Sequence, residues 1–188
     1  MTLFSEYPEL LGEKIILKKM SLEDVDDLER LTQSERVYKY LPTFLYEQRY
    51  EDKSEVITKM DAECFDTHKC ILLGIYPVEE PGKLVGIGEI YNYEPLLSKA
   101  SIGGRLHEDY WNKGYATEIG MLLTNYLFEV AGIKIITAHI MVQNGASERI
   151  IEKNEFKKIL SGVNENWGEG KEKVRVDVYM RHHLSSRG

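Results

Sequence analysis

Between Leu106 and Glu118 the chain reads Leu-His-Glu-Asp-Tyr-Trp-Asn-Lys-Gly-Tyr-Ala-Thr-Glu: a strand end, a short loop with one glycine, and the opening of a helix. Behind it, Ser101 to Arg105 is strand-like and carries the adjacent glycines Gly103 and Gly104. Ahead of it, Ile119, Leu122, Leu123, Tyr126, Leu127 and Val130 recur at three- and four-residue intervals, the spacing of one helix face. A strand that feeds a helix through a glycine loop aims unpaired backbone N–H groups at one point, and the helix dipole adds positive potential there. That chemistry suits a phosphate or pyrophosphate. The other loop chemistries fail on inspection. Gly86-Ile87-Gly88 begins like a dinucleotide fingerprint, but Tyr91 stands where the third glycine belongs and a turn follows instead of a helix. There is no Gly-Lys-Ser/Thr phosphate loop, no Gly-x-Ser-x-Gly elbow and no His-x-x-x-His zinc spacing.

The elements around this loop follow from local signals. Ile15-Ile16-Leu17 reads as a first strand. Ser21 with Asp24 three residues on opens a helix whose stripe is Val25, Leu28 and Leu31. Leu41-Pro42 ends that region, because a residue before proline avoids the α conformation. Val56, Ile57 and Met60 predict a second helix within Tyr46 to Asp66. Cys70 to Tyr76 and Leu84 to Tyr91 form a hairpin about the Pro81-Gly82 turn, and Ala100 to Leu106 is the next strand. On a helical wheel, Ile119, Leu123, Tyr126 and Val130 share one sector while Met121 and Phe128 point the opposite way. That back face would be covered by another element or by a second copy, a homodimer. Gly132 ends the helix, Ile133 to Val142 is a strand, and Asn144 caps a short helix over Ala146 to Lys153. Phe156 to Leu160 and Val174 to Tyr179 make a last hairpin, with Gly162 to Lys171 as its loop. This order predicts a single α/β (α+β) domain over residues 1–188, with a mixed, mostly antiparallel central sheet flanked by helices.

Composition narrows the partners. A net charge of -7 argues against nucleic acid and favours cationic partners such as amines. No apolar run approaches the roughly 20 residues of a membrane span, and Met1 to Glu6 lacks a secretory pattern, so no membrane association is expected. Cys64 and Cys70 have no second cysteine pair, which reads as reduced thiols of a cytoplasmic protein. His182-His183 near the end reads as part of a solvated tail, and no metal site is expected.

Trp111-Asn112-Lys113-Gly114-Tyr115-Ala116-Thr117-Glu118 resembles the acetyl-CoA motif of the GNAT N-acetyltransferases in its "W-G-K-G-Y-A-T-E" form, most closely that of the Rim-type branch, which acetylates ribosomal-protein N-termini. Ile102-Gly103-Gly104-Arg105-Leu106 is similar to the family's "I-G-Y-W-L" strand, Asn144-Gly145-Ala146-Ser147 to its "N-x-x-S", and Ile151-Glu152-Lys153-Asn154-Glu155-Phe156 to "L-E-K-x-G-F". The resemblance implies that acetyl-CoA is the co-substrate, with its pyrophosphate on backbone N–H groups from Trp111 through Asn112, Lys113, Gly114, Tyr115 and Ala116 to Thr117, and with Lys113 as an adjacent cation. It also implies a sheet whose fourth and fifth strands splay apart, with Gly104 and Leu106 docking the pantetheine arm by their backbones and Asn144 hydrogen-bonding it. Helix capping is the plain alternative for Asn144.

In such chemistry a neutral amine attacks the thioester, a base takes its proton and an acid protonates the thiolate. Many GNATs place a tyrosine acid where this chain has Ile151. The Rim-type branch uses the serine of N-x-x-S, which implies Ser147, otherwise a first-turn polar residue. The family's strand glutamate is replaced by Ser101, which leaves Glu89 on the neighbouring strand as the candidate base, otherwise a solvated strand residue. Glu118 reads as serving the helix dipole. Three departures stand out: Asn112 and Glu155 occupy glycine positions of the family pattern, and Gly104 replaces a large aromatic. The expectation is acetyl transfer to a primary amine, a protein N-terminal α-amine by the resemblance. A polyamine or aminoglycoside acetyltransferase and a non-catalytic acyl-CoA-binding protein are the alternatives.

Overall fold

In the computed structural model residues 3–168 and 173–183 are described, and among them eight strands form one sheet. They are β1 (Leu10–Leu11), β2 (Ile15–Lys18), β3 (Cys70–Pro77), β4 (Gly86–Glu94), β5 (Lys99–Leu106), β6 (Ile135–Met141), β7 (Lys157–Glu165) and β8 (Val174–His182), in spatial order β1-β2-β3-β4-β5-β6-β8-β7. Helices α1 (Val25–Thr32), α2 (Glu35–Tyr38) and α3 (Lys53–Met60) lie between β2 and β3, α4 (Tyr115–Asn125) between β5 and β6, and α5 (Gly145–Lys153) between β6 and β7. Every neighbouring pair is antiparallel except β5 and β6.

The two faces of the sheet are buried against different helices. Ile71, Leu73 and Ile75 of β3 share a core with Ile119, Leu123 and Leu127 of the helix after Gly114. Leu72 and Tyr76 pack instead with Leu28, Leu31, Val56 and Met60 from the α1–α3 layer. A strand covered on both faces needs apolar side chains at consecutive positions, which is why Cys70 to Tyr76 shows an unbroken apolar run instead of alternation.

One irregularity in pairing opens a gap in the sheet. β5 stays paired with β4 as far as Leu106↔Gly86, but its register with β6 stops at Ser101↔Thr137. β6 meanwhile follows β8 to Met141↔Val176. Beyond Ser101 the fourth and fifth strands counted from β2 therefore part, as the resemblance implied. The His107 N–H donates to the Val85 carbonyl at 2.9 Å. By antiparallel alternation, Gly104 and Leu106 turn their backbone N–H and C=O groups away from β4, into the gap.

Several local expectations change. The Tyr46 to Asp66 region is a 3₁₀ turn (Tyr46–Gln48), α3 and a π-turn (Asp61–Phe65), not one helix. A second π-turn over Tyr126–Val130 follows α4. Its extra residue rotates the later side chains, so Phe128 is buried (9% exposed) and Val130 faces out (48%), the reverse of the straight wheel. The back face that suggested a homodimer thus reduces to Met121. β7 runs on to Glu165, into the span expected as a loop, and residues 169–171 of that span are outside the described residues. His182 closes β8 and the His183 N–H donates to the Lys134 carbonyl at 2.9 Å, so neither is a loose tail; residues 184–188 are not described. No helix among the described residues is long and apolar enough to cross a membrane.

Candidate active site

The loop between β5 and α4 is shaped by two left-handed residues, Asn112 (φ 61°) and Gly114 (φ 85°). Asn tolerates this conformation better than other residues with a Cβ, so Asn112 keeps a glycine-like backbone where the family pattern has glycine. Glu118 is the first N–H of α4 with a helical partner, donating to the Gly114 carbonyl at 3.2 Å. The N–H groups of Tyr115, Ala116 and Thr117 are then the free donors of a helix start. The Glu118 carboxylate does not simply face the dipole. It accepts from the Lys14 N–H at 3.0 Å and, more closely, from that of Glu13, pinning the β1–β2 turn onto α4. A Cβ at Gly12 would sit 2.0 Å from Glu118 Oε1, so a larger residue there would displace the carboxylate from this turn.

A cleft of about 1280 Å³ runs from this loop through the β5–β6 gap to the α2 side of the sheet. It brings together ten of the twelve expected site residues: Glu89, Gly104, Leu106, Trp111, Asn112, Gly114, Ala116, Thr117, Asn144 and Ser147. Lys113 and Tyr115 do not line it. The Lys113 ammonium lies 4.7 Å over the Tyr110 ring, and Tyr115 stacks on that same ring. The cations that do line the cleft are Arg36, Lys39, Arg105, Arg149 and Lys153. The Trp111 indole N–H donates to the Leu106 carbonyl at 2.7 Å, and the Arg36 guanidinium lies 5.2 Å over its ring. Leu106 therefore keeps only its N–H for an extended ligand, while Gly104 keeps both groups.

At the far end Asn144 caps α5, its Oδ1 accepting from the Ser147 N–H at 3.2 Å. Capping uses the oxygen and leaves the amide NH₂ to the cleft, so capping and ligand binding are compatible. Ser147 is half-buried on the first turn, and its Oγ has no hydrogen-bond partner among the described residues. α5 is locked against α4 by Asn154, whose amide donates to the Thr117 carbonyl at 3.2 Å and the Ile150 carbonyl at 3.0 Å. Glu155 at the other glycine position is also left-handed (φ 65°), so the turn before Phe156 keeps its shape at a steric cost.

The opposite sheet face holds charges that the motifs did not reveal. The Arg105 guanidinium donates to Glu89 Oε2 at 2.6 Å and to Glu47 Oε2 at 2.5 Å, and the Tyr38 hydroxyl donates to Glu47 Oε1 at 2.9 Å. These groups are almost fully desolvated, with the Arg105 and Glu47 side chains 2% and 0% exposed. Burial pushes the Glu89 carboxyl up, Arg105 pulls it down and Glu47 adds to the rise; the net shift is upward. Glu89 thus reaches the cleft, but half of its carboxylate is committed to Arg105. Across the gap, His139 Nδ1 meets Glu165 Oε1 at 2.7 Å, and the Trp167 indole N–H donates to Glu165 Oε2 at 2.9 Å. Thr137 and His139 are the two polar residues, spaced two apart, in the otherwise apolar Ile135–Met141 run, a signal of a polar strand face that was available beforehand. Nothing local marks Glu47 or Glu165.

Residues 14–157 match the acetyltransferase (GNAT) domain family. The chain belongs to the GNAT acetyltransferases. It is an acetyl-CoA-dependent enzyme, and the open backbone edge at Gly104 and the free N–H groups at the start of α4 fit an extended arm ending in a pyrophosphate. This GNAT chain is 26% identical over 173 residues to the uncharacterized N-acetyltransferase p20 of Bacillus licheniformis, covering 91% of this chain and 93% of that protein. The ribosomal L7/L12 α-N-protein acetyltransferase RimL shares its fold with a TM-score of 0.75 at 16% identity, covering 94% of this chain and 95% of RimL. Spermidine N-acetyltransferase from Vibrio cholerae, solved with CoA and spermine, does so with a TM-score of 0.73 at 15% identity, covering 91% and 96%.

Proposed function

We propose that the acceptor is the α-amine of a protein N-terminus, and that Ser147 Oγ delivers the proton to the departing thiolate while Glu89 faces the incoming amine. The charge of the cleft carries the choice of acceptor. Its described lining holds five Lys or Arg side chains against two carboxylates, Glu89 and Glu165, although the whole chain has a net charge of -7. The chain's excess acid is therefore elsewhere. Both lining carboxylates are already engaged, Glu89 by Arg105 and Glu165 by His139 and Trp167. A polyamine carries several cations and would find no open series of acids here, whereas a peptide terminus brings a single ammonium. Tyr40, Leu41, Phe44 and Leu45 give the mouth apolar surface suited to the side chains that follow an N-terminus. The buried free thiols Cys64 and Cys70 suit a cytoplasmic setting, where protein N-termini are made.

Acetyl-CoA supplies the activated acetyl group. The chain's own work is to hold the pyrophosphate on the first N–H groups of α4, align the arm along the edge of β5, and keep a hydroxyl beside the sulfur at the start of α5. Thiol release from acetyl-CoA, measured with Ser- and Ala-starting peptides, spermidine and an aminoglycoside, tests the acceptor. Peptide turnover well above that of the small amines is expected, and the reverse order rejects the reading. Ser147→Ala should lower kcat by roughly 10²-fold while leaving the acetyl-CoA Kd unchanged, since loss of a general acid acts on the chemical step.

A further inference from the structure

Glu89 and Gly103 are register partners on β4 and β5, and Ser101 partners Thr137 on β6. Glu89, Gly103 and His139 therefore lie on one row of one sheet face, with the β5–β6 gap between the last two. The middle position is floor only, because a Cβ on Gly103 would meet just the Tyr91 ring edge, at 3.5 Å. An amine reaching into the cleft at this point stands between the Glu89 carboxylate and the His139 imidazole, both of which line it. The two groups are held differently. Glu89 has one carboxylate oxygen occupied by the Arg105 guanidinium. His139 is bound by a carboxylate at Nδ1, which places the proton on that nitrogen and leaves the Nε2 lone pair without a partner among the described residues.

The carboxylate is itself held. Glu165 Oε2 accepts from the Trp167 indole N–H, and Trp167 is buried. The Trp167 carbonyl in turn accepts from the Thr43 N–H at 2.9 Å and the Thr43 hydroxyl at 3.1 Å, so the end of β7 is tied to the loop that forms the cleft mouth. Three successive contacts thus fix the ring of one histidine that lines the cleft.

We infer that His139 is the proton acceptor for the amine, with Glu165 as its positioning residue. The substrate ammonium gives one proton to His139 Nε2. The freed nitrogen lone pair forms the C–N bond to the acetyl carbonyl carbon as the C–S bond breaks. The nitrogen then loses its second proton to the leaving thiolate by way of Ser147, and His139 returns its proton to solvent. The assignment rests on the acetyl-transfer reading of the cleft and does not depend on which amine is the acceptor.

The test uses His139→Asn, whose side-chain N–H stands where Nδ1–H was, so the link to Glu165 and the fold survive while Nε2 is lost. kcat should fall by about 100-fold or more with the acetyl-CoA Kd unchanged, and added imidazole should restore part of the activity of His139→Ala. Glu165→Gln should lower kcat by about 10-fold without raising KM for either substrate, and Glu165→Asp should recover part of it, a pattern that simple loss of packing would not produce. His139→Asn turning over within about threefold of the wild-type enzyme overturns the assignment, as does a collapse seen only in Glu89→Gln. If the wild-type enzyme acetylates spermidine and not peptides, the acceptor reading above fails, and the same variants measured on spermidine still decide His139.

Discussion

Arg105 bridges two buried carboxylates. Its guanidinium lies between Glu47 and Glu89, with all three side chains at most 12% exposed. Replacing it by methionine preserves much of the volume and strands two buried carboxylates. Removing one partner from a buried ion pair costs about 3–5 kcal/mol, because the remaining charge has neither water nor a counterion. Against a typical stability of about 5–15 kcal/mol, and with a urea m-value of about 2 kcal/mol/M, the unfolding midpoint of Arg105→Met should fall by about 2 M. The pH dependence has a definite sign. Burial already raises the Glu89 carboxyl despite Arg105, and removing the cation raises it further. A carboxyl raised in the folded state is best tolerated when protonated, so its penalty grows as pH rises through the folded value. The loss relative to wild type should therefore be larger at pH 8 than at pH 5. Adding Glu47→Gln and Glu89→Gln to Arg105→Met should recover most of it. A loss under about 1 kcal/mol, or one that grows on acidification, would refute the claim that this buried charge set is held by Arg105.

Three further perturbations test the supports of the cofactor side. Trp111→Phe removes the indole donor to the Leu106 carbonyl and should raise the acetyl-CoA Kd by about 3–10-fold in calorimetry, about the value of one hydrogen bond. Gly120→Ala places a Cβ 2.6 Å from Asn154 Nδ2, a side chain held by two hydrogen bonds. It should cost about 2 kcal/mol and lower Tm by about 4–8 °C. Glu155→Gly relieves a left-handed residue and loses an ion pair to Arg181 whose Glu155 side is 72% exposed. A net gain of about 1 kcal/mol is expected, read as a Tm rise of about 2–4 °C, and a fall in Tm would show that the ion pair matters more than the strain.

What could be read along the chain was whatever depends on neighbours in sequence. The donor loop, the helix after Gly114, the Asn144 cap and most strands rest on spacing, capping and backbone freedom, which act over a few residues. The free N–H groups of Tyr115 to Thr117 are a consequence of starting a helix at all, so that cluster of donors was legible from the motif. The acceptor end was not. Arg105, His139 and Glu165 come from three strands, and only sheet register puts them about one cleft. A local contact also drew Lys113 away from the cleft lining, because Tyr110, three residues earlier, offers its ring to the ammonium. The π-turn at Tyr126–Val130 turned Phe128 inward, an insertion that a straight helical period does not register. Sequence by itself determined that an acetyl-CoA arm has a place to bind. The tertiary structure decided which charged groups line the cleft, since buried charges are placed by the partners that make their desolvation tolerable, and those partners lie far apart in the chain.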